Sequence, residues 1–340
     1  MSKLKIALVS INQPSLDSAL RLNGYLNDYE VDIYGKKDLK HDYKDLITYE
    51  KIDTVLGNGW KKYDAIICIL AMGIVVRKIA PLLESKATDP AILVMSMDLS
   101  KVIPLLSGHI GGANELSDII ASRVEGCINF ISTATDQVKA FAFDMFAKKN
   151  NMEIENLDKL ANISNRLINK KSVKVFAPKS IFDTIEDKTN LELASKEQID
   201  ENTVIIDSLG KSEQLHLKPK IYLGMGCNRD TSFDDIEKAF LWFLDKHALE
   251  KEQIANIASF EAKADEQGLL EFANKYDFDI KFFDEKQINE LEGEFSPSQA
   301  TKFFGLKGVA EPSSVLVSKY KELVLPKEVY EKKITIAGAI

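Results

Sequence analysis

Residues 102–124 read VIPLLSGHIGGANELSDIIASRV, and the class of the fold is decided here. The aliphatic run VIPLL is what a buried strand requires, and it stops at Ser107. From about residue 111 to 124 the apolar positions recur at helical spacing. Between the two lie Gly108, Gly111 and Gly112, with His109 among them, a density of glycine beyond what packing alone demands. Working outward, LKIALVS, VDIY, YDAIICIL, AILVM and INFIS read as further strands, and residues 15–27 as another helix. Strand and helix in alternation predict an α/β fold whose N-terminal domain, residues 1–150, is a parallel-sheet three-layer domain. Ligands of such sheets bind outside the carboxyl ends of the strands, so the loops that follow strands are where a site is expected.

Residues 151–217 are richer in Asn, Lys, Asp and Glu, and SVKVFA and NTVIID are their two plausible strands. They read as a small α/β middle module. A C-terminal α/β domain, residues 218–340, opens with the strand IYLGMG. It continues through a helix at DDIEKAFLWFLDKH, the strand IASFEAK, a helix at LLEFANKY and the closing ITIAGAI.

Composition narrows the function classes. With 45% hydrophobic and 28% charged residues the 340-residue chain is globular rather than disordered. No run of about 18 apolar residues is present and MSKLKIALVS enters a strand directly, so a cytoplasmic protein without a membrane partner is expected. Cys68, Cys127 and Cys227 are three, far apart and without a C-x-x-C pair, which argues against a disulfide framework or a protein-held zinc. A net charge of -8 argues against nucleic acid as a partner, because phosphates need a basic footprint.

The glycine turn is a candidate anion cradle. Amides of Gly108, Gly111 and Gly112 can approach a carboxylate or a developing oxyanion, Ser107 and Asn114 can add hydrogen bonds, and His109 can move a proton near neutral pH. The alternative is a tight connection in which glycine only relieves crowding. Neither G-x-x-x-x-G-K-[ST] nor G-x-G-x-x-G nor G-x-S-x-G occurs at this turn, which speaks against a nucleotide site and a serine hydrolase. After the strand YDAIICIL comes AMGIVVRKIAPLL, where Arg77 is placed to clamp a substrate carboxylate or to form a surface ion pair. ISTATD ends a third strand with Thr133, Thr135 and Asp136, polar groups for substrate or for a helix cap. In the C-terminal domain, Lys263, Asp265 and Glu266 follow the strand IASFEAK and Glu311 follows Gly308, a grouping that suits a polar substrate face or solvated capping charges. Cys227 reads as packing rather than a nucleophile.

Taken together, AMGIVVRKIAPLL, the Asp89-Pro90 pair, LLSGHIGGANELSD and STATD resemble the N-terminal part of the cobalt-precorrin-5A hydrolases of anaerobic cobalamin biosynthesis, the CbiG type. GMGC, KADEQGLLEFA, GVAEP and VLPK resemble that family's C-terminal domain, and residues 151–217 match only as a variable middle part. The resemblance implies a hydrolase that opens the δ-lactone of a cobalt-containing tetrapyrrole and releases acetaldehyde, giving cobalt-precorrin-5B. On that footing His109 is the general base or acid-base group, with Glu115 and Glu311 of second rank. Ser107, Gly108, Gly111, Gly112, Asn114, Thr135, Asp136, Arg77, Lys263 and Glu266 are then substrate-binding. It implies no cofactor of the protein's own, the cobalt being carried by the substrate, to which His109 is an alternative axial ligand. Neighbouring cobalamin-pathway enzymes are the expected partners. The competing function is a non-catalytic corrinoid carrier, which needs the cradle and the cations but no proton-transfer group.

Overall fold

The computed structural model describes residues 3–86, 88–133, 138, 140–296 and 305–340. The chain divides into two compact units, Met1–Ala140 and Phe141–Ile340.

In the first unit the strands are β1 (Lys5–Ser10), β2 (Glu30–Lys36), β3 (Ile47–Tyr49), β4 (Ala65–Ile69), β5 (Ala91–Met95), β6 (Lys101–Leu106) and β7 (Ile128–Asn129). They form one sheet in the order β3-β2-β1-β4-β5-β6-β7. Its helices are α1 (Gln13–Asn23), α2 (Ile52–Gly59), α3 (Met72–Ile79) and α4 (Ala113–Arg123). Alternate side chains of β1 and β4 enter opposite cores. Ile6, Leu8, Ala65, Ile67 and Ile69 meet Leu16 and Leu22 of α1 and Ile120 of α4. Ala7, Val9, Ile66 and Cys68 meet Leu56 of α2 and Val75 and Ile79 of α3. Both faces are covered, which is why β4 and β5 are apolar at every position instead of alternating.

The α/β class and the three layers hold, but the sheet is mixed. β1, β2, β3, β4 and β5 are parallel, whereas β6 runs antiparallel to β5, with Leu93 opposite Pro104 and Ile92 opposite Leu106. Residues 96–100 make the reversal. Asp98 accepts from the Ser100 amide at 3.0 Å and from the Ser100 hydroxyl at 2.8 Å. Hydrogen bonds from Ser96 and Ser100 hold its carboxyl well below the usual carboxylate range. Such a link is far shorter than the dozen or so residues that a parallel crossover needs. As a consequence, the end of β6 lies where β4 and β5 begin. The glycine turn is therefore on the edge opposite the carboxyl ends of β1, β4 and β5, not at them as the strand-then-loop pattern suggests.

The second unit contains two five-stranded sheets. The first, β10-β9-β11-β12-β8, uses β8 (Glu153–Glu155), β9 (Val173–Phe176), β10 (Leu191–Leu193), β11 (Val204–Ile206) and β12 (Leu215–Lys218). The second, β15-β14-β13-β17-β16, uses β13 (Ile221–Cys227), β14 (Ile254–Phe260), β15 (Lys281–Phe283), β16 (Leu323–Tyr330) and β17 (Ile334–Ala339). Helices α5 (Phe143–Lys149), α6 (Leu160–Ile168) and α7 (Lys179–Phe182) accompany the first sheet by chain order. Helices α8 (Phe233–His247), α9 (Gln267–Lys275), α10 (Glu285–Glu290) and α11 (Ala310–Val317) accompany the second. Gly224 lets α11 lie directly on β13, since a Cβ there would stand 1.8 Å from the Ala310 carbonyl oxygen. Phe240 of α8 and Phe272 of α9 pack edge to face, with ring centroids 5.1 Å apart.

Candidate active site

The turn from Ser107 to Asn114 is built by its own backbone. Ser107 has φ 56 and Gly112 φ 84, both left-handed, and a non-glycine residue there costs about 1–2 kcal/mol. Three internal bonds offset that cost. The Gly112 amide donates to the His109 carbonyl at 2.9 Å, the Ala113 amide to the Ser107 carbonyl at 3.1 Å, and the Asn114 amide to the Gly108 carbonyl at 3.0 Å. Of the three glycine amides expected to face an oxyanion, that of Gly112 is thus already engaged. Those of Gly108 and Gly111 donate to no group among the described residues.

Crowding explains two of the glycines as well. A Cβ at Gly108 would lie 2.7 Å from Asn114 Oδ1, and one at Gly111 only 2.3 Å from Ser107 Cβ. Packing and ligand approach therefore both require glycine here. Asn114 is buried and its Nδ2 donates to Thr133 Oγ1 at 3.1 Å, which ties the turn to the segment that follows β7. Ser107 is also buried, its hydroxyl donating to the Asp89 carbonyl oxygen at 2.9 Å. His109 is 6% exposed, while Gly108, Gly111 and Gly112 are half-buried. The turn therefore offers its backbone more openly than its imidazole. Glu115 is exposed in the first turn of α4, where its charge complements the helix dipole. Thr135 and Asp136 lie outside the described residues.

Arg77 is exposed in the last turn of α3, and its Nη1 donates to the Gly73 carbonyl at 2.9 Å. Among the described residues it has no acidic partner, so its charge is available to an anion. Around it α3 leaves Met72, Ile74 and Val76 exposed, a third to nearly half of each surface.

The expected residues of the second unit are in a different condition. Glu266, 4% exposed, accepts from the Thr231 amide at 3.2 Å and from Lys263 Nζ at 3.3 Å, with Arg229 Nη1 3.7 Å away. Arg229 also pairs with Asp265. A cavity of about 440 Å³ is lined by Arg229, Thr231, Ser232, Asp265, Glu266 and Gly268. Arg229 was not picked out from the sequence. The signal for Arg229 is its place in the GMGCNRD turn after β13. Cys227 sits beside this cluster, and burial pushes its thiol up to about 11, the wrong direction for a nucleophile. Glu311 is buried in the first turn of α11 and accepts from the amide and hydroxyl of Ser296 and from the Lys327 amide at 2.9 Å. Its oxygens hold the chain together, and Lys263 and Glu266 largely satisfy each other.

Among the described residues no group of three His, Cys, Asp or Glu side chains is placed to hold a metal ion. A single imidazole such as His109 suits only a metal whose other ligands come from elsewhere, as in a macrocycle. No helix among the described residues is long and apolar enough to cross a membrane.

Comparison with known proteins agrees across the chain. Family models match residues 54–136 (Cobalamin synthesis G N-terminal), 141–242 (Cobalamin biosynthesis central region) and 221–339 (Cobalamin synthesis G C-terminus). The chain is 30% identical over 307 residues to a Priestia megaterium protein named cobalt-precorrin-5A hydrolase, covering 84% of this chain and 81% of that one. To the Salmonella typhimurium protein of the same name it is 28% identical over 287 residues, 81% of each. A solved Sulfolobus solfataricus structure, described as a homolog of cobalamin biosynthesis protein G, aligns at 23% identity with a TM-score of 0.42, over 99% of this chain and 97% of that one. With all three regions matched in order and a relative at 30% identity over most of both sequences, the chain belongs to the cobalt-precorrin-5A hydrolase family.

Proposed function

We propose that this chain is a hydrolase of cobalamin biosynthesis whose substrate is cobalt-precorrin-5A. It opens the δ-lactone and expels the freed fragment as acetaldehyde, leaving cobalt-precorrin-5B. The observation that carries the reading, beside the relatives' shared name, is the pair of idle amides at Gly108 and Gly111 next to His109. Ester hydrolysis places negative charge on the carbonyl oxygen, and preorganised amides stabilise that charge by about 3 kcal/mol per donor. His109, buried in the same turn, takes the proton of the attacking water. Once the lactone is open, removal of the hydroxyl proton lets the carbon-carbon bond break. The bonding pair passes into the conjugated macrocycle and the departing carbon becomes the aldehyde. Arg77 holds one of the substrate's carboxylate arms. The cobalt enters and leaves as part of the substrate.

The test is incubation of the purified chain with cobalt-precorrin-5A and assay of acetaldehyde. Release by the wild type and its loss in His109→Ala are expected. The burial of His109 favours one second reading, a carrier that binds the corrinoid without reaction. Binding with no acetaldehyde would establish the carrier and overturn the hydrolase.

A further inference from the structure

Asp89 and Ser107 are 18 residues apart and both buried, and they meet at the edge of the first sheet where β5 begins. The Asp89 carboxylate organises the segment before β5. It accepts from the Glu84 amide at 3.1 Å and 3.3 Å and from Trp60 Nε1 at 3.3 Å, while the Asp89 amide donates to the Ser85 carbonyl at 2.9 Å. That fixes the direction of the Asp89 carbonyl, which receives the Ser107 hydroxyl. On its other side Ser107 is pressed against Gly111, where no Cβ would fit. Ser107 is thus held at both ends, in a left-handed conformation that leaves its hydroxyl committed to the chain.

We infer that Ser107 is a positioning residue and not a substrate contact. Its bond to the Asp89 carbonyl sets the direction in which the turn leaves β6, and so where His109 and the Gly108 and Gly111 amides stand. Asp89, itself held by Trp60 and the Glu84 amide, is the anchor. The inference rests on the reading of His109 as the proton-transfer group.

Steady-state acetaldehyde release from cobalt-precorrin-5A tests it in three variants, with far-UV circular dichroism to confirm folding. Ser107→Ala is expected to lower kcat at least tenfold with KM within twofold. Ser107→Gly suits the left-handed backbone but lacks the hydroxyl, and should lose as much. Wild-type turnover by Ser107→Gly, or a loss carried by KM with kcat unchanged, would overturn the positioning role while His109→Ala stays inactive. Wild-type turnover by His109→Ala alone would remove the underlying reading, and this role with it.

Discussion

The turn at residues 107–114 and the buried carboxylates Glu266 and Glu311 of the second unit were all singled out for the site, yet their groups are spent differently. In the turn, bonds and crowding fix the backbone while two amides stay idle. In the second unit, the charged side chains are satisfied by neighbours in the same unit. The difference teaches that a polar residue after a strand is a candidate for chemistry only when its bonding capacity is left over. Arg77 shares that property with the turn, whereas Glu311 does not.

The comparison breaks first at Gly111. Gly111→Ala puts a methyl 2.3 Å from Ser107 Cβ and 2.8 Å from its carbonyl oxygen. Acetaldehyde release should fall more than about 100-fold, with about 1–3 kcal/mol lost from the urea-denaturation free energy. Near-normal turnover would mean the turn is not the reacting region. Glu311→Gln is the converse. It weakens the hold on Ser296 and Lys327 and should cost about 2 kcal/mol in the same denaturation experiment, with kcat changed by less than about threefold. A large loss of kcat at full stability would move Glu311 into the chemistry.

Arg77→Ala sharpens the contrast from the side of binding. Losing one clamp on a carboxylate arm should raise KM about tenfold, equivalent to about 1.4 kcal/mol, and leave kcat alone. An unchanged KM would return Arg77 to the solvated surface.

The smallest effect is expected at Glu155, on β8. Burial alone would raise its pKa from 4.5, but the Lys218 ammonium at 2.8 Å and the neighbouring His216 outweigh it and the net direction is down. A depressed carboxylate stabilises the fold above its unfolded value and loses that contribution as pH falls through its folded pKa. The stability difference between wild type and Glu155→Gln should therefore be constant near neutrality and shrink below pH 4.5. A difference that grows on acidification would reverse the sign. Because Glu155 is a third exposed, the effect should be modest.

Much of this molecule was legible in the chain. The aliphatic runs at 65–69, 91–95 and 221–227 became central strands, and the glycine-rich segment became a strand-to-helix turn. INFIS shrank to the two-residue β7, since it pairs only with β6 at the sheet edge. One feature was available and missed. Only five residues part AILVM from KVIPLL, too few for a parallel crossover, and that spacing already reverses β6.

The sequence by itself determined the central strands of the first sheet, several of the helices and the places where glycine is indispensable, because these depend on periodicity and backbone freedom over a few residues. Only the tertiary structure decided that Ser107 is spent on Asp89, that Glu311 is spent on Ser296 and Lys327, and that His109 is nearly covered. Each of those follows from contacts or burial that distant parts of the chain supply. Whether a polar group is free for chemistry is settled by what the folded chain has already asked of it.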